Sequence, residues 1–312
     1  MKTLSIILLI ILLPFQSAAQ SCCSGGVPIS NNLGLPLSDA KTWQIFLSYD
    51  FNLLNTLQDG NNKLDNNTRK RITHTALTQF GYSFNKKFSA DILIPYVRQE
   101  REITPIGQPS SFNSSNGIGD IVFLSKYSFF RSYQLGIGVK LPTGSTTEIN
   151  DRGLTLNADM QPGSGSWDII YWLSLQENLK SRPSTTLSLV TTYRSTGSNN
   201  EYFDTQTYEF GNEFQMTLGI ADQLIIGKLI TTPSLGLRYR TVDSDQVENN
   251  NVPSTGGNWL FFRPGIGWNI LPEMIFSSVA DIPVYAYVEG TQVTPTMRLN
   301  FSIIYTFQTQ KL

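Results

Sequence analysis

Residues 116–145, NGIGDIVFLSKYSFFRSYQLGIGVKLPTGS, contain the feature that most restricts the fold. From Leu135 to Leu141 every odd position is aliphatic, whereas the even positions carry glycine or Lys140. A period of two residues is typical of a β-strand with one apolar face and one small or polar face. The stretch holds two such runs joined by a short polar turn, and it therefore predicts a β-hairpin.

The same alternation recurs about a dozen times between Trp43 and Phe307, and no segment of helical period follows residue 20. The connections alternate in length, with short turns such as 85–87 and long polar loops such as 101–115 and 145–165. Long loops on one rim and short turns on the other are typical of outer-membrane barrels. The sequence therefore predicts an all-β fold, a closed antiparallel transmembrane β-barrel of about 12 strands with up-and-down topology. The position of the turn within 220–233 stays open.

Composition favours a wall that faces lipid. Charged residues are 15% of the chain and aromatic residues 12%, whereas soluble proteins carry about 25% charged residues. A bilayer offers no water to unpaired backbone groups, so strands can cross it only as a closed barrel. The alternative is a soluble β-sandwich or jelly roll, in which the apolar faces form a dry core. Aromatic residues near strand ends fit interfacial girdles: Trp43, Tyr127, Trp167, Tyr193, Trp268 and Tyr305.

The first 20 residues have the parts of a secretory signal peptide: Lys2, an apolar run over 5–13 and the small residues of 17–19. That run is too short to cross about 30 Å of hydrocarbon. The predicted domains are a signal peptide over 1–20, an irregular N-terminal segment over 21–40 that is a candidate plug, and the barrel over 41–312. Export by a cleaved signal predicts the outer membrane of a Gram-negative cell as the location.

Cys22 and Cys23 are the two cysteines, so the barrel carries no disulfide framework. Three interpretations are open: a lipidated N-terminal cysteine, a soft-metal site, and a flexible terminus whose thiols pair or oxidise. The third is favoured, because the usual leucine upstream of a lipidated cysteine is absent and no histidine lies nearby. The pair is the weak metal candidate of this chain, and no cofactor is predicted.

Charged residues on the polar side of the predicted strands are expected to face the bore, where the inward set is otherwise small. Nine of them are candidates for lining the lumen and setting selectivity: Asp120, Lys126, Lys140, Asp168, Arg194, Glu213, Arg238, Arg263 and Arg298. Four more are expected on inward faces: Asp91, Arg98, Glu209 and Arg240. Buried charges must be paired, so the set could be a salt-bridge lattice or a selective path. Asp120 and Lys140, on adjacent strands, are the first pair to test.

The hairpin also resembles a known family. GIGDIVFLSKY followed by GIGVKLPTGS, with Gly117, Gly119, Asp120 and the Leu141–Gly144 turn, resembles the signature of the phenol-degradation (MetA-pathway) outer-membrane family. The later segments FFRPGIGWNI and DIPVYAYVEG resemble its C-terminal half. The resemblance extends over roughly residues 40–312 and implies a secreted β-barrel regarded as a transporter or channel. It does not imply phenol itself as the solute.

No enzyme is predicted. The one histidine, His74, lacks the serine and asparagine spacing of an outer-membrane lipase, and no inward aspartate has a histidine partner. A net charge of −1 gives no reason to expect nucleic acid. The predicted function is a channel or transporter for small solutes, hydrophobic or aromatic ones included, with outer-membrane lipid as the surroundings. The alternative is a structural or adhesive envelope barrel with a charge-filled lumen. The oligomeric state stays open.

Overall fold

The computed structural model describes residues 38–65, 68–105, 107, 109–130 and 132–308. The predictions for the signal peptide, for Cys22 and Cys23, and for most of segment 21–40 lie outside the described residues. The strands are β1 (Thr42–Gly60), β2 (Asn62–Lys63), β3 (Arg69–Ser83), β4 (Phe88–Ile103), β5 (Ser111–Ile118), β6 (Val122–Phe130), β7 (Tyr133–Lys140), β8 (Asp168–Leu179), β9 (Arg182–Ser195), β10 (Ser198–Tyr202), β11 (Gln206–Glu209), β12 (Glu213–Asp222), β13 (Leu224–Ile226), β14 (Leu229–Val242), β15 (Gln246–Val247), β16 (Asn250–Asn251), β17 (Gly257–Leu271) and β18 (Met274–Gln308).

The main sheet closes on itself. Its antiparallel order is β12-β9-β8-β7-β6-β4-β3-β1-β18-β17-β14, and β14 pairs back with β12. β18 pairs with β17 up to Val288 and with β1 over the rest of its length, so it crosses the wall twice, with a turn at Gly290. The eleven elements of this circuit thus give twelve crossings among the described residues. The prediction of a closed antiparallel barrel of about 12 strands is confirmed.

The two rims differ as predicted. At one rim, Asn85 Oδ1 accepts hydrogen bonds from the N–H groups of Lys87 and Phe88, at 2.8 and 2.9 Å, which fixes the turn between β3 and β4. The turn within 220–233 is at Gly227, whose φ of +64° suits glycine. At the other rim the long loops build a small separate sheet, β10-β11-β15-β16. The loop over 141–167 contains one turn of 3₁₀ helix, Ala158–Met160.

Side chains alternate across the wall. In β7, Leu135 and Ile137 are 46% and 57% exposed on the outer face, whereas Lys140 on the inner face is 0% exposed. Aromatic residues meet in pairs on the outer surface, such as Trp43 and Tyr82 with ring centroids 4.7 Å apart. This is the arrangement of a lipid-facing wall with interfacial aromatic rows. In the described ranges no helix is both long and apolar enough to span a membrane.

The inner face is not limited to small and charged side chains, and that part of the expectation is wrong. A dry apolar cluster lies inside the barrel: Leu93, Val122, Leu124, Ile170 and Trp172. Glycines of β7 make room for it, since a Cβ at Gly136 would lie 3.1 Å from the ring of Trp172. The circumference of a barrel of this size leaves a bore that side chains can partly fill.

Candidate functional site in the bore

All nine predicted lumen residues lie on the inner side of the barrel. Eight of them are buried, and the side chain of Arg263 is 11% exposed. Each lies within 4.0 Å of an oppositely charged group. The structure thus brings the nine together as members of ion pairs, and their role in selecting solutes stays a prediction.

One group forms a continuous chain of alternating charges across neighbouring strands. Its members are Asp120, Lys140, Asp168, Arg194, Glu213 and Arg240. Consecutive members are separated by 2.7 to 3.9 Å. Such a lattice pairs each buried charge with an oppositely charged neighbour. Since it also ties five strands side by side, it stiffens this half of the wall.

A second group lies beside the first, on β14, β17, β18 and β1. Asp281 accepts from Arg238 at 3.4 Å and lies 3.9 Å from Arg263. Asp50 binds Arg298 at 2.7 Å. Neither Asp50 nor Asp281 is among the predicted candidates, although Asp50 occupies a polar position in an alternating strand. Asp281 lacks such a signal, because the strand around it reads DIPVYAY without clean alternation.

Asp120 is the point where the signature hairpin meets the loop over 141–167. Its carboxylate binds Lys140 Nζ at 2.8 Å and accepts from the N–H groups of Gly144 and Ser164, at 3.0 and 2.9 Å. Ser164 Oγ donates a fourth bond to this carboxylate, at 2.6 Å. One carboxylate therefore holds both stems of the loop. The stems also touch, since a Cβ at Gly163 would overlap the backbone of Gly144.

The middle of that loop enters the bore, and residues 156–161 are called the plug below. Asp159 binds Arg71 at 2.9 Å and Arg101 at 3.4 Å, both from the inner wall. Ser115 donates to the carbonyl of Met160, and Met160 itself is 0% exposed. The plug thus occupies the bore near the long-loop rim, which is the extracellular side in outer-membrane barrels. The sequence predicts a plug from residues 21–40, and nothing in the described residues tests that segment.

The small outer sheet covers the plug. Tyr202, Tyr208 and Phe210 pack against Ala158, with neighbouring ring centroids 4.8 and 4.9 Å apart. Beside them the buried carboxylate of Asp245 accepts from Tyr208 Oη at 2.6 Å and from the N–H of Gly211 at 2.9 Å. Burial, together with the nearby carboxylate, raises the pKa of Tyr208 far above its usual range, so this hydroxyl remains a donor.

This arrangement predicts a pH-dependent outer sheet. Burial raises the pKa of Asp245 to about 6, above the unfolded value of about 3.9. Because Asp245 binds its proton more tightly in the folded state than in the unfolded state, protonation stabilises the folded state. The free energy of unfolding therefore falls as the pH rises from about 4 to about 6. We expect hydrogen-exchange protection of the loop amides to fall over that range. Asp245→Asn should remove this pH dependence of protection. Asp243→Asn, an exposed change in the same loop, should leave the pH dependence unchanged. If Asp245→Asn kept the pH dependence of the unchanged protein, the prediction would be wrong.

The described residues leave space at the short-turn rim, which is the periplasmic side in outer-membrane barrels. A cavity of about 920 Å³ lies at this mouth, lined in part by Thr42, Lys86, Gln134 and Gln176. A smaller cavity of about 240 Å³ lies against the inner wall of β9, β12, β14 and β17. Among the described residues, the bore is therefore wider at the short-turn rim than at the long-loop rim, where the plug lies.

Two of the remaining sequence expectations need correction. Arg98 faces outward, with a side chain 62% exposed beside Glu100, because β4 alternates without a bulge and places even residues outside. Glu209 lies in the small outer sheet, bonded to Ser198, because the chain leaves the wall before it reaches this residue. Asp91 and Arg240 do face the bore. Asp91 pairs with Lys126 at 2.8 Å.

His74 lies on the outer face, where Tyr49 Oη and its Nδ1 are 2.6 Å apart. Within the described residues, no group of three or more histidine, cysteine, aspartate or glutamate side chains is arranged to hold a metal ion. Cys22 and Cys23 lie outside these residues.

Comparison with known proteins gives a family and a fold. Residues 55–294 match the family described as "Putative MetA-pathway of phenol degradation". No curated protein matches the sequence. Among solved structures, the COG4313 outer membrane channel from Pseudomonas putida F1 is similar with a TM-score of 0.69 at 13% identity, covering 89% of this chain and 100% of that one.

Two further solved structures are similar to a lesser degree. The beta domain of the Bordetella autotransporter BrkA has a TM-score of 0.49 at 12% identity, covering 84% of this chain and 99% of that one. The CymD monoaromatic hydrocarbon channel has a TM-score of 0.45 at 10% identity, covering 87% and 90%. At 13% identity, the similarity to the COG4313 channel concerns the fold alone.

Proposed function

The chain belongs to the family described as "Putative MetA-pathway of phenol degradation", and from this we propose that it is an outer-membrane channel for small solutes, hydrophobic and aromatic ones included. The solved channel from Pseudomonas putida F1 has the same fold over its whole length. Under this proposal residues 1–20 are a signal peptide that is removed on export, and outer-membrane lipid surrounds the wall.

The observation that carries the proposal is the apolar cluster inside the bore. A channel for hydrophilic solutes has a polar, water-filled interior. Here Trp172, Ile170 and Leu124 lie inside the barrel. These side chains are at most 4% exposed, so we infer that they become available to a hydrophobic solute when the contents of the bore shift, and leaving water for that apolar surface is favourable.

One observation favours a second candidate, a barrel that transports nothing. The plug is buried and held by two arginines of the wall, and further buried ion pairs line the inner face of the barrel. A structural or adhesive envelope protein needs no more than this. The two candidates differ in whether the plug moves, so a transport measurement separates them.

The test is uptake of radiolabelled naphthalene by intact Gram-negative cells that produce the barrel. Intact cells are needed because naphthalene crosses simple phospholipid bilayers unaided, whereas the lipopolysaccharide leaflet hinders it. We expect faster uptake than in cells carrying an empty vector, by several-fold. Equal uptake, with correctly folded barrel demonstrated in the outer membrane by its heat-modifiable mobility, would support the structural role instead.

A further inference from the structure

The smaller cavity, of about 240 Å³, is a recess in the inner wall. It exists because small residues meet there on adjacent strands: Gly219 lies opposite Ser188 on β9 and Gly236 on β14. A Cβ at Gly219 would lie 2.9 Å from Ser188 Oγ, so larger side chains would fill the space. A cavity of about 150 Å³ is enough to bind benzene. The recess is therefore large enough for one aromatic ring with a small substituent.

The lining of the recess is amphipathic. Val190 and Val279 provide apolar surface, and Val190 continues into the apolar cluster of the bore. Thr192, Gln215 and Thr217 provide hydroxyl and amide groups. Small-molecule sites typically combine apolar walls with a few polar groups that fix orientation.

One edge of the recess carries a cation. Arg263 lines it directly, and its Cβ lies 3.7 Å from the position a Cβ on Gly236 would take. Arg263 belongs to a group of three arginines and two aspartates, with Arg238, Arg298, Asp281 and Asp50. The group therefore has an excess of one positive charge next to the recess. A guanidinium binds carboxylates in a two-pronged geometry that suits this setting.

We propose that the recess binds an aromatic carboxylate, with the ring against Val190 and Val279 and the carboxylate on Arg263. This rests on the proposed channel function and narrows its solute class to amphipathic acids. Such acids are a class for which a channel is needed, because an ionised carboxylate does not cross hydrocarbon readily. The site would hold the solute part-way along the bore.

Binding of benzoate to the purified full-length barrel in detergent tests the proposal, by ligand-observed NMR titration. Benzamide serves as the neutral ligand of the same shape, and inorganic phosphate as the anion without a ring. We expect benzoate to bind at least tenfold more tightly than benzamide or phosphate. Arg263→Gln should remove that preference by tenfold or more, as expected for the loss of a charge-assisted hydrogen bond. Arg263→Lys should retain part of it.

Matched variants separate a site from a general effect. Arg98→Gln makes the same change on the outer face and should leave benzoate binding unchanged. Thr217→Leu should fill the recess and weaken benzoate and benzamide alike. Equal binding of benzoate and benzamide, unchanged binding in folded Arg263→Gln, or phosphate binding as tight as benzoate would each overturn the proposal. Naphthalene uptake is measured separately. Uptake without benzoate binding would overturn the proposed binding site and leave the proposed channel function standing, whereas absence of uptake would overturn the channel function.

Discussion

Asp159→Asn is expected to open the barrel. The change removes the negative charge that faces Arg71 and Arg101 in the bore. Breaking a buried ion pair by removing one partner costs about 3–5 kcal/mol, and 1.4 kcal/mol is a factor of ten in an equilibrium constant. The fraction of molecules with the plug displaced should therefore rise by about two orders of magnitude or more. In planar bilayers we expect frequent conducting events where the unchanged protein is mostly silent.

Asp151→Asn is the matched control for this experiment. Asp151 lies in the same loop, is exposed and changes charge in the same way, so its conductance should stay at the level of the unchanged protein. Replacing the plug residues by a flexible glycine-serine segment should give the same opening as Asp159→Asn. A barrel that stays silent in both plug variants, while folded, would show that something other than the plug closes the bore.

Lys140→Met is expected to give the largest loss of stability. Lys140 is fully buried between Asp120 and Asp168, at 2.8 and 3.0 Å. Without the ammonium group two buried carboxylates face each other in a low-dielectric setting, and we expect the free energy of unfolding to fall by about 3–5 kcal/mol. Urea denaturation of the barrel in lipid vesicles measures this.

The control for that experiment is Lys86→Met, at an exposed turn on the periplasmic rim, which should change stability by less than about 0.5 kcal/mol. Adding Asp120→Asn to Lys140→Met should recover part of the loss, because one of the two facing charges disappears. If Lys140→Met and Lys86→Met unfolded at the same urea concentration, the buried chain of charges would have no structural role.

The wall of the barrel could be predicted from the sequence because the direction of each side chain depends only on its position within its own strand. Alternation in β7 places Leu135 and Ile137 outside and Lys140 inside, and the same rule applies to each crossing. The pairing of Asp120 with Lys140 also follows, since adjacent strands in a hairpin bring them together. Arg98 shows the limit of this reasoning. Because β4 continues without a bulge, Arg98 lies on the same outward face as Tyr96 and Ile94. The outward face of β4 therefore continues beyond its apolar residues and includes a charged one.

The contents of the bore could not be predicted in this way. Asp159 and Arg71 are 88 residues apart, and nothing in the alternation of either segment points to the other. The same holds for the apolar cluster, because Ile170 and Trp172 fall on the side of β8 that carries Asp168, which reads as the polar face. Contacts across a barrel depend on where a loop folds back, and loop sequences have no period that encodes it.

The attachment of both stems of the plug loop to Asp120 has a kinetic consequence. With Gly144 and Ser164 held by the same carboxylate, a displaced plug remains tethered within a few residues' reach of its seat. Its return is then a unimolecular step at a high effective concentration, independent of how much protein the membrane holds. Open periods should accordingly be brief and should occur as rapid flicker, and the outer membrane would lose little of its barrier to unrelated compounds while one solute passes.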